Sequence, residues 1–274
     1  MQIKFFCPHW GSESLPFEEF LHKVKSEGYD GVEMSLPLDK NNFQEVVQLL
    51  ENYELLLIGQ HWETVERDIS LHMKEYESRL YHLAEAKPLF INSQTGKDYY
   101  SFGQNESLIK RAAEIEKSTG VKIVHETHRG KFSFAAHVCK GYLEAIPELQ
   151  LCLDVSHWCN TAETFLYDQE EAVDLAIERT FHIHSRVGHT QGPQVTDPRC
   201  EEWQEALQRH LFWWDKVVNK FEAQGSELLT ITTEFGPSPY MVQLPGSNES
   251  IASQWDINVF MKNLLKHRYA SLSK

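Results

Sequence analysis

The sequence predicts an α/β protein built as a single (β/α)8 TIM barrel that spans residues 1–274. Strand-like and helix-like segments alternate eight times along the chain. No linker, low-complexity tract or long run of charge divides it. The length of 274 residues matches the usual size of such barrels, about 250 residues.

Eight short runs rich in branched and aromatic residues are the predicted strands. Most are continuously apolar, which is typical of parallel strands covered by helices and not of a half-exposed antiparallel sheet. The predicted strands are Ile3–Cys7, Val32–Leu36, Leu55–Gly59, Leu89–Asn92, Lys122–His125, Leu149–Asp154, Thr180–His184 and Leu228–Glu234.

A segment with helical period follows each predicted strand. In the first segment, Phe17, Phe20 and Val24 recur at the spacing of one helix face. Glycine or proline follows several of these segments, as Gly28 follows the first, and marks the end of the helix. The predicted helices are 17–24, 42–52, 67–86, 105–118, 133–145, 169–178, 203–221 and 252–268.

A doubly wound open sheet is the main alternative to a barrel. That fold needs a glycine-rich phosphate-binding turn after its first strand. The residues at this place are Cys7-Pro-His-Trp-Gly-Ser12, which lack that fingerprint. The barrel is therefore favoured.

The composition disfavours nucleic acid and membranes as partners. The formal net charge of -14 repels phosphate, whereas nucleic-acid affinity depends on Lys and Arg. No apolar run approaches the length of a membrane span, about 18 residues, and the chain opens on a strand without a leader. The five cysteines form no C-x-x-C pair, which is typical of free thiols in a reducing compartment. We therefore expect a cytoplasmic protein.

Ionisable residues stand at the ends of the last four predicted strands: Glu126, Asp154, His184 and Glu234. In a (β/α)8 barrel these strand ends meet at one mouth. Three carboxylates in one place would repel each other unless a cation joined them. Such an oxygen-rich set suits Mn²⁺ or Mg²⁺, with Co²⁺ or Zn²⁺ as further options.

The alternation of side chains along a strand ranks the neighbouring residues. In His182-Ile-His184 both histidines share one face, and His184 lies nearer the mouth, so His184 is the better ligand and His182 supports it from below. His125 precedes Glu126 and faces the helices, as a core histidine would. Glu33, in the second strand, either lines the mouth or pairs with a nearby arginine.

The ordered set Glu126, Asp154-x-x-His157, His182-x-His184 and Thr233-Glu234 resembles the xylose isomerase-like barrel superfamily. Within it, the set is similar to the sugar epimerases such as the tagatose and psicose 3-epimerases. The resemblance spans essentially the whole chain in strand order. It implies that Glu126, Asp154, His184 and Glu234 bind one divalent ion. It also implies that Glu126 and Glu234 are the acid/base carboxylates and that His157 contacts the substrate.

One part of the chain departs from that pattern. The epimerases follow the ligand histidine with a glycine-glutamate pair and, further on, an arginine, whereas the run here is His184-Ser-Arg-Val-Gly-His189. Arg186 then becomes the candidate for the substrate-binding role of that arginine.

Three His-Trp pairs follow predicted strands one, three and six: His9-Trp10, His61-Trp62 and His157-Trp158. Aromatic surfaces at a barrel mouth suit the apolar faces of a sugar, so we expect a substrate wall that includes Trp10 and His61. His128, just beyond strand five, is either a further substrate contact or part of an exposed loop.

These features predict a metal-dependent isomerase or epimerase of a ketose or polyol that abstracts a proton through an enediolate. Keto-inositol dehydratase and hydroxypyruvate isomerase remain alternatives on the same scaffold. A non-catalytic sugar-binding protein needs no paired bases, so Glu126 and Glu234 disfavour it. A homo-oligomer is compatible with the sequence.

An endonuclease IV-like phosphodiesterase is the other enzymatic alternative. That family has an Asp-x-His pair after strand seven, whereas Asp197 is followed here by Pro198 and Arg199. The acidic charge also disfavours a DNA-binding face. No glycine-rich phosphate loop follows strands seven or eight, so we expect an unphosphorylated substrate.

Overall fold

The computed structural model describes residues 1–270, and within them eight parallel strands close into one barrel in chain order. The first and last strands pair from Gln2↔Leu228 to Phe6↔Thr232, so the sheet is closed and the predicted fold class is confirmed. The strands are Gln2–Pro8 (β1), Gly31–Met34 (β2), Leu56–His61 (β3), Ile91–Ser93 (β4), Ile123–Glu126 (β5), Leu151–Leu153 (β6), Thr180–His184 (β7) and Leu228–Thr232 (β8).

Within the same residues, nine α-helices and a short 3-10 helix at Glu201–Trp203 surround the barrel. No helix in this part of the chain is both long and apolar enough to cross a membrane. The α-helices are Phe17–Ser26 (α1), Lys40–Asn52 (α2), Ile69–Glu85 (α3), Phe102–Thr119 (α4), Ala136–Ala145 (α5), Ser156–Ala162 (α6), Glu170–Glu178 (α7), Gln204–Ala223 (α8) and Gln254–Arg268 (α9).

Among the α-helices of residues 1–270, α6 is the one that the sequence did not predict. It has seven residues, and its first residues, Ser156 to Cys159, are all buried, so it shows no amphipathic period. The eight predicted helices are all present, and local signals fix their ends. In α4, Ser101 and Gln104 form a capping box, and Gly120 ends the helix in the left-handed region at φ 73°.

The interior of the barrel has an apolar floor. Five fully buried side chains form it: Phe6, Ile58, Phe90, Val124 and Cys152. This cluster is separate from the larger core between the strands and the helices. His182 lies directly above the floor and packs on Phe90, with ring centroids 5.1 Å apart. From this level toward the mouth the interior is polar. The polar side chains of the barrel therefore lie between an apolar floor and the mouth.

Most observed strand ends differ from the predicted ones by one or two residues, and two of these differences affect which side chains reach the mouth. Strand β3 continues to His61, because Gln60 and His61 still pair with β4 at Asn92 and Ser93. Strand β8 ends at Thr232, so Glu234 lies in the loop that follows it. Alternation along the longer β3 places Gln60, and not His61, on the interior face.

Candidate functional site

Four buried side chains converge at the mouth. Glu126, Asp154, His184 and Glu234 each offer a ligand atom, and these atoms all lie within 4.8 Å of one another. His184 Nδ1 is 2.9 Å from Glu234 Oε2 and 3.7 Å from Glu126 Oε1. The structure thus brings together the four residues that the sequence singles out as ligands, while their binding of a metal stays a prediction.

Two atoms of this cluster lack a partner. Among residues 1–270, the buried Glu126 Oε1 and His184 Nδ1 accept or donate no hydrogen bond. The 2.9 Å approach of His184 Nδ1 to Glu234 does not have hydrogen-bond geometry. Leaving a buried polar atom unpaired costs about 1–3 kcal/mol. A metal ion would satisfy both atoms, since carboxylate oxygen and neutral imidazole nitrogen are ligand atoms.

The charge of the cluster also fits a divalent cation. Glu126, Asp154 and Glu234 contribute three carboxylates. Arg186 belongs to the same cluster, since its Nη2 pairs with Asp154 Oδ2, and it contributes one positive charge. With His184 neutral, three negative charges and one positive charge leave two negative charges. A divalent ion would offset these two charges, and the carboxylate of Glu33 behind His184 adds further negative charge that favours a cation.

The surroundings of His184 attract positive charge. Burial alone lowers the pKa of His184, but its negative neighbours raise that pKa well above the ordinary value. We attribute the rise to Glu234, Glu33 and Glu126, because burial raises the pKa of the Cys152 thiol and keeps it neutral. A divalent ion would take the place of this proton, since a histidine ligand must be neutral.

Glu33 supports His184 from the barrel interior, so it pairs with a histidine and not with an arginine. Its carboxylate is 3.0 Å from His184 Nε2, accepts from Asn92 Nδ2 at 2.8 Å and accepts from Thr232 Oγ1 at 2.5 Å. Burial raises the pKa of Glu33, but the nearby His184 and His182 hold it well below its usual value. A carboxylate behind a histidine fixes the ring so that the other nitrogen faces the metal.

Arg186 and His157 lie side by side next to the cluster. Arg186 Nε donates to Ser156 Oγ at 3.2 Å, and its Nη2 donates to His157 Nε2 at 2.8 Å. His157 is fully buried under His128, with ring centroids 3.9 Å apart. Arg186 also stacks at 4.9 Å on Tyr240. The structure therefore places Arg186 and His128 at the pocket surface, with His157 beneath them.

A pocket of about 520 Å³ opens above the cluster. Gln60 and Gln94, which sequence reasoning missed, reach into it and hold the two glutamates: Gln60 donates to Glu234 at 2.9 Å, and Gln94 donates to Glu126 at 3.2 Å. The pocket is lined by His9, Trp10, Glu13, Met34, Ser35, Leu36, Pro37, Gln60, Trp62, Gln94, His128, Arg186, Glu234 and Tyr240. Trp10, His128, Arg186 and Glu234 of the predicted site are among them.

Two members of the predicted aromatic wall lie elsewhere. His61 faces α3, where its ring nitrogens meet Ser93 Oγ at 3.0 Å and Thr64 Oγ1 at 2.8 Å, so it does not reach the pocket. Trp158 is fully buried and donates from Nε1 to the Ser133 carbonyl at 2.7 Å. His61 points away from the mouth because β3 runs two residues further than predicted. Trp158 points away because it lies on α6 and not in a loop.

Some residues of the mouth carry no sequence signal. Tyr240 comes from the loop after β8, where no periodicity fixes its position. Gln60 and Asn92 could have been found, because both follow the interior alternation of their strands. Amides at such positions are weaker signals than the charged ends of strands.

The comparisons with known proteins concern the fold. No family model matches the sequence, and no curated protein shows significant similarity to it. The structure is similar to 3-keto-D-glucoside 4-epimerase from E. coli in its apo form, with a TM-score of 0.64 and 12% identity over 97% of this chain and 100% of that chain.

Two further structures with other names are also similar to this one. A xylose isomerase domain protein from Planctomyces limnophilus has a TM-score of 0.58 and 13% identity over 98% of this chain and 97% of that chain. Endonuclease IV from Thermus thermophilus has a TM-score of 0.59 and 13% identity over 97% of this chain and 100% of that chain. At these identities the comparisons bear on architecture alone, and they agree with the (β/α)8 barrel.

Proposed function

We propose that this protein is a divalent-metal-dependent isomerase or epimerase of a ketose or polyol and that it acts by proton abstraction through an enediolate. The observation that carries the proposal is the convergence of Glu126, Asp154, His184 and Glu234, whose ligand atoms lie within 4.8 Å of one another beneath an open pocket. Similar structures include a sugar epimerase and a xylose isomerase domain protein, which agrees with this chemistry.

The four cluster residues would hold Mn²⁺ or Mg²⁺, and the ion would supply positive charge that polarises the substrate carbonyl. Glu126 and Glu234 are the carboxylates that move the proton at the carbon next to the carbonyl. They come from β5 and from the loop after β8, so they approach the substrate from different parts of the ring. Return of the proton to the same carbon gives an epimer, and return to the neighbouring carbon gives an isomer.

The amides of the mouth keep the two carboxylates in place. Gln94 donates to Glu126 Oε2, and Gln60 donates to Glu234 Oε1, so each carboxylate is held in one orientation by an amide. The apolar floor excludes water from below. Trp10, His128 and Arg186 line the pocket and are positioned to orient the hydroxyl groups of the substrate.

The proposal includes a small-molecule substrate and no nucleic acid, although one similar structure is endonuclease IV. A second possible ligand set, Glu126, His128 and His157, lies beside the first. Arg186 donates to His157 at 2.8 Å, and this cation disfavours a further metal ion there. The five cysteines are all free thiols, which agrees with the expected cytoplasmic location.

The test combines metal analysis with a panel of free ketoses and polyols in D₂O. Purified protein should carry one divalent ion per chain, and NMR should show deuterium entering the product at the carbon beside the carbonyl. Removal of the metal should stop the exchange, and Mn²⁺ should restore it. Cleavage of abasic DNA, with no exchange into any sugar of the panel, would overturn the proposal in favour of the phosphodiesterase.

A further inference from the structure

We infer that the substrate is a carbonyl sugar joined to an uncharged apolar group, as in an aryl or alkyl glycoside, and that this group binds over strands β1 to β3. This inference rests on the proposed function and names its substrate class. The pocket of about 520 Å³ falls in the range of pockets for drug-sized ligands, about 300–1,000 Å³, and exceeds what one sugar ring fills.

The pocket has two chemically different halves. Its polar half lies over the ligand cluster, where β5 to β8 and their loops contribute His128, Arg186 and Glu234. Its apolar half lies at the ends of β2 and β3. The strands close in chain order, so the two halves face each other across the mouth. A ligand that fills both halves must be polar at one end and apolar at the other.

The apolar half consists of lining side chains at the ends of β2 and β3. Met34, Leu36 and Pro37 lie within four consecutive positions at the end of β2, interrupted by Ser35, and Trp62 follows β3. Trp62 is 52% exposed, which leaves much of an indole ring in water. Apolar surface of this kind, continuous with a binding pocket, marks a ligand contact more often than an isolated exposed residue does.

Gln60 lies at the junction of the two halves. It belongs to β3, two residues before Trp62, and it donates to Glu234 across the mouth at 2.9 Å. A sugar bound over the cluster would meet this amide, and a substituent on that sugar would continue toward Trp62. The side chain of Gln60 therefore fixes the place where the sugar ends and the apolar group begins.

The charge on this side of the pocket excludes a phosphorylated tail. Glu13 lines the pocket from the loop after β1 and accepts from the backbone of Gly11 at 2.8 Å. A phosphate here would face a carboxylate with no lining cation nearby on the β1 to β3 side, since Arg186 lies in the other half. An uncharged aromatic or aliphatic group avoids that repulsion and gains contact with Met34, Leu36 and Trp62.

The experiment compares the methyl and phenyl glycosides of one keto-glucose. The holoenzyme should exchange solvent deuterium into the phenyl glycoside with a kcat/KM at least about tenfold higher than into the methyl glycoside, as expected for apolar groups in a hydrophobic pocket. In parallel, calorimetry with unoxidised phenyl and methyl glucosides should show tighter binding of the phenyl compound. This second readout needs no turnover.

Trp62→Ala should bring the phenyl-to-methyl ratio in both assays toward one. Phe212→Ala is the matched control, because Phe212 is a 44% exposed aromatic residue on α8, outside the pocket lining, and its removal should leave the ratio unchanged. A phenyl-to-methyl ratio near one in the unmodified protein would overturn the inference. Exchange into both glycosides would still support the proposed function. If no sugar exchanges, the proposed function fails, and equal calorimetric affinities would then overturn the apolar subsite as well.

Discussion

Two groups of possible metal ligands meet at His184, and they differ in how their atoms are paired. The upper group adds Glu126, Asp154 and Glu234, and the lower group adds Cys152 and His182. In the upper group, Glu126 Oε1 and His184 Nδ1 lack hydrogen-bond partners among residues 1–270. In the lower group, both ring nitrogens of His182 are satisfied, by Thr230 Oγ1 at 2.7 Å and Thr232 Oγ1 at 3.0 Å.

The difference teaches that residue type alone does not identify a metal site. Burial raises the pKa of Cys152 well above its ordinary value, and burial lowers the pKa of His182. The thiol therefore stays protonated, whereas a metal ligand must be a thiolate. The unpaired Oε1 of Glu126, which only the upper group contains, and not the mere proximity of His, Cys and Glu, distinguishes the upper group as the candidate site.

The largest expected effect comes from the two glutamates of the upper group. Glu126→Gln and Glu234→Gln keep an oxygen ligand but remove the proton acceptor. Each should lower solvent deuterium exchange about 10²–10⁴-fold, the contribution typical of a positioned acid or base. The measurement is NMR exchange at matched metal content, determined by elemental analysis of each variant. Near-normal exchange in either folded, metal-loaded variant would remove that residue from the acid/base pair.

A satisfied histidine outside the upper group should instead affect folding stability. His210, on α8, donates from Nδ1 to the Ala206 carbonyl at 2.8 Å and accepts from Gly188 N at 3.2 Å. Burial lowers its pKa to about 4. The folded state keeps His210 neutral while the unfolded chain binds a proton below about pH 6.5, so this stabilisation is complete above that pH and is lost as the pH falls toward 4.

Over that pH window the loss from His210 amounts to about 3 kcal/mol of the free energy of unfolding. Urea unfolding at several pH values should show the decline, and His210→Gln should make it shallower because the variant has one titrating group fewer. His82→Gln serves as the control, because His82 on α3 keeps a partly exposed position. An unchanged slope in His210→Gln would show that His210 does not contribute.

The support of His184 by Glu33 predicts an effect on metal affinity. Glu33→Gln removes the charge that holds His184 Nε2, so the affinity for Mn²⁺ should fall about 10–100-fold, as is usual for a residue that orients a ligand. Titration of the metal-free protein with Mn²⁺ measures this without turnover. Glu13→Gln removes a carboxylate of the same mouth that does not contact His184, and it should leave the affinity unchanged. Equal losses in both variants would indicate a general effect of charge.

The smallest effect is expected from the lower group. Cys152→Ser should change neither the number of bound ions nor the Mn²⁺ affinity, because the neutral thiol of Cys152 is not expected to act as a ligand. Metal analysis of this variant is the measurement. A loss of one bound ion per chain would show that the lower group is a metal site and would break the distinction between the two groups.

The sequence predicted the barrel and the convergence at its mouth for a clear physical reason. Parallel strands in chain order bring their carboxyl ends together, so Glu126 and His184, which end β5 and β7, had to meet. His61 was expected beyond the end of strand three, at the mouth, whereas β3 extends to His61 and side-chain alternation turns this residue toward the helices.

Other parts of the site depend on contacts that no local pattern encodes. Tyr240 reaches Arg186 from a loop, at 4.9 Å from its ring centroid, through tertiary packing. Glu33 was recognised as a residue of interest in the sequence, but its partner was not, because His184 lies 151 positions further along the chain. Long-range partners of this kind follow from the closed ring and become visible only when its eight strands are in place.

The apolar floor also affects whether the transferred hydrogen exchanges with solvent. It consists of Phe6, Ile58, Phe90, Val124 and Cys152. A bound ligand that covers the mouth leaves the protonated carboxylate without a route to bulk water, because the opposite end of the barrel is closed by apolar side chains. The abstracted hydrogen therefore stays on its carboxylate and can return only to the substrate. The opposite carboxylate, which exchanges with heavy water while the mouth is open, delivers deuterium to the product. A mechanism with two carboxylates on opposite sides of the substrate therefore predicts that the product carries more deuterium than the recovered substrate.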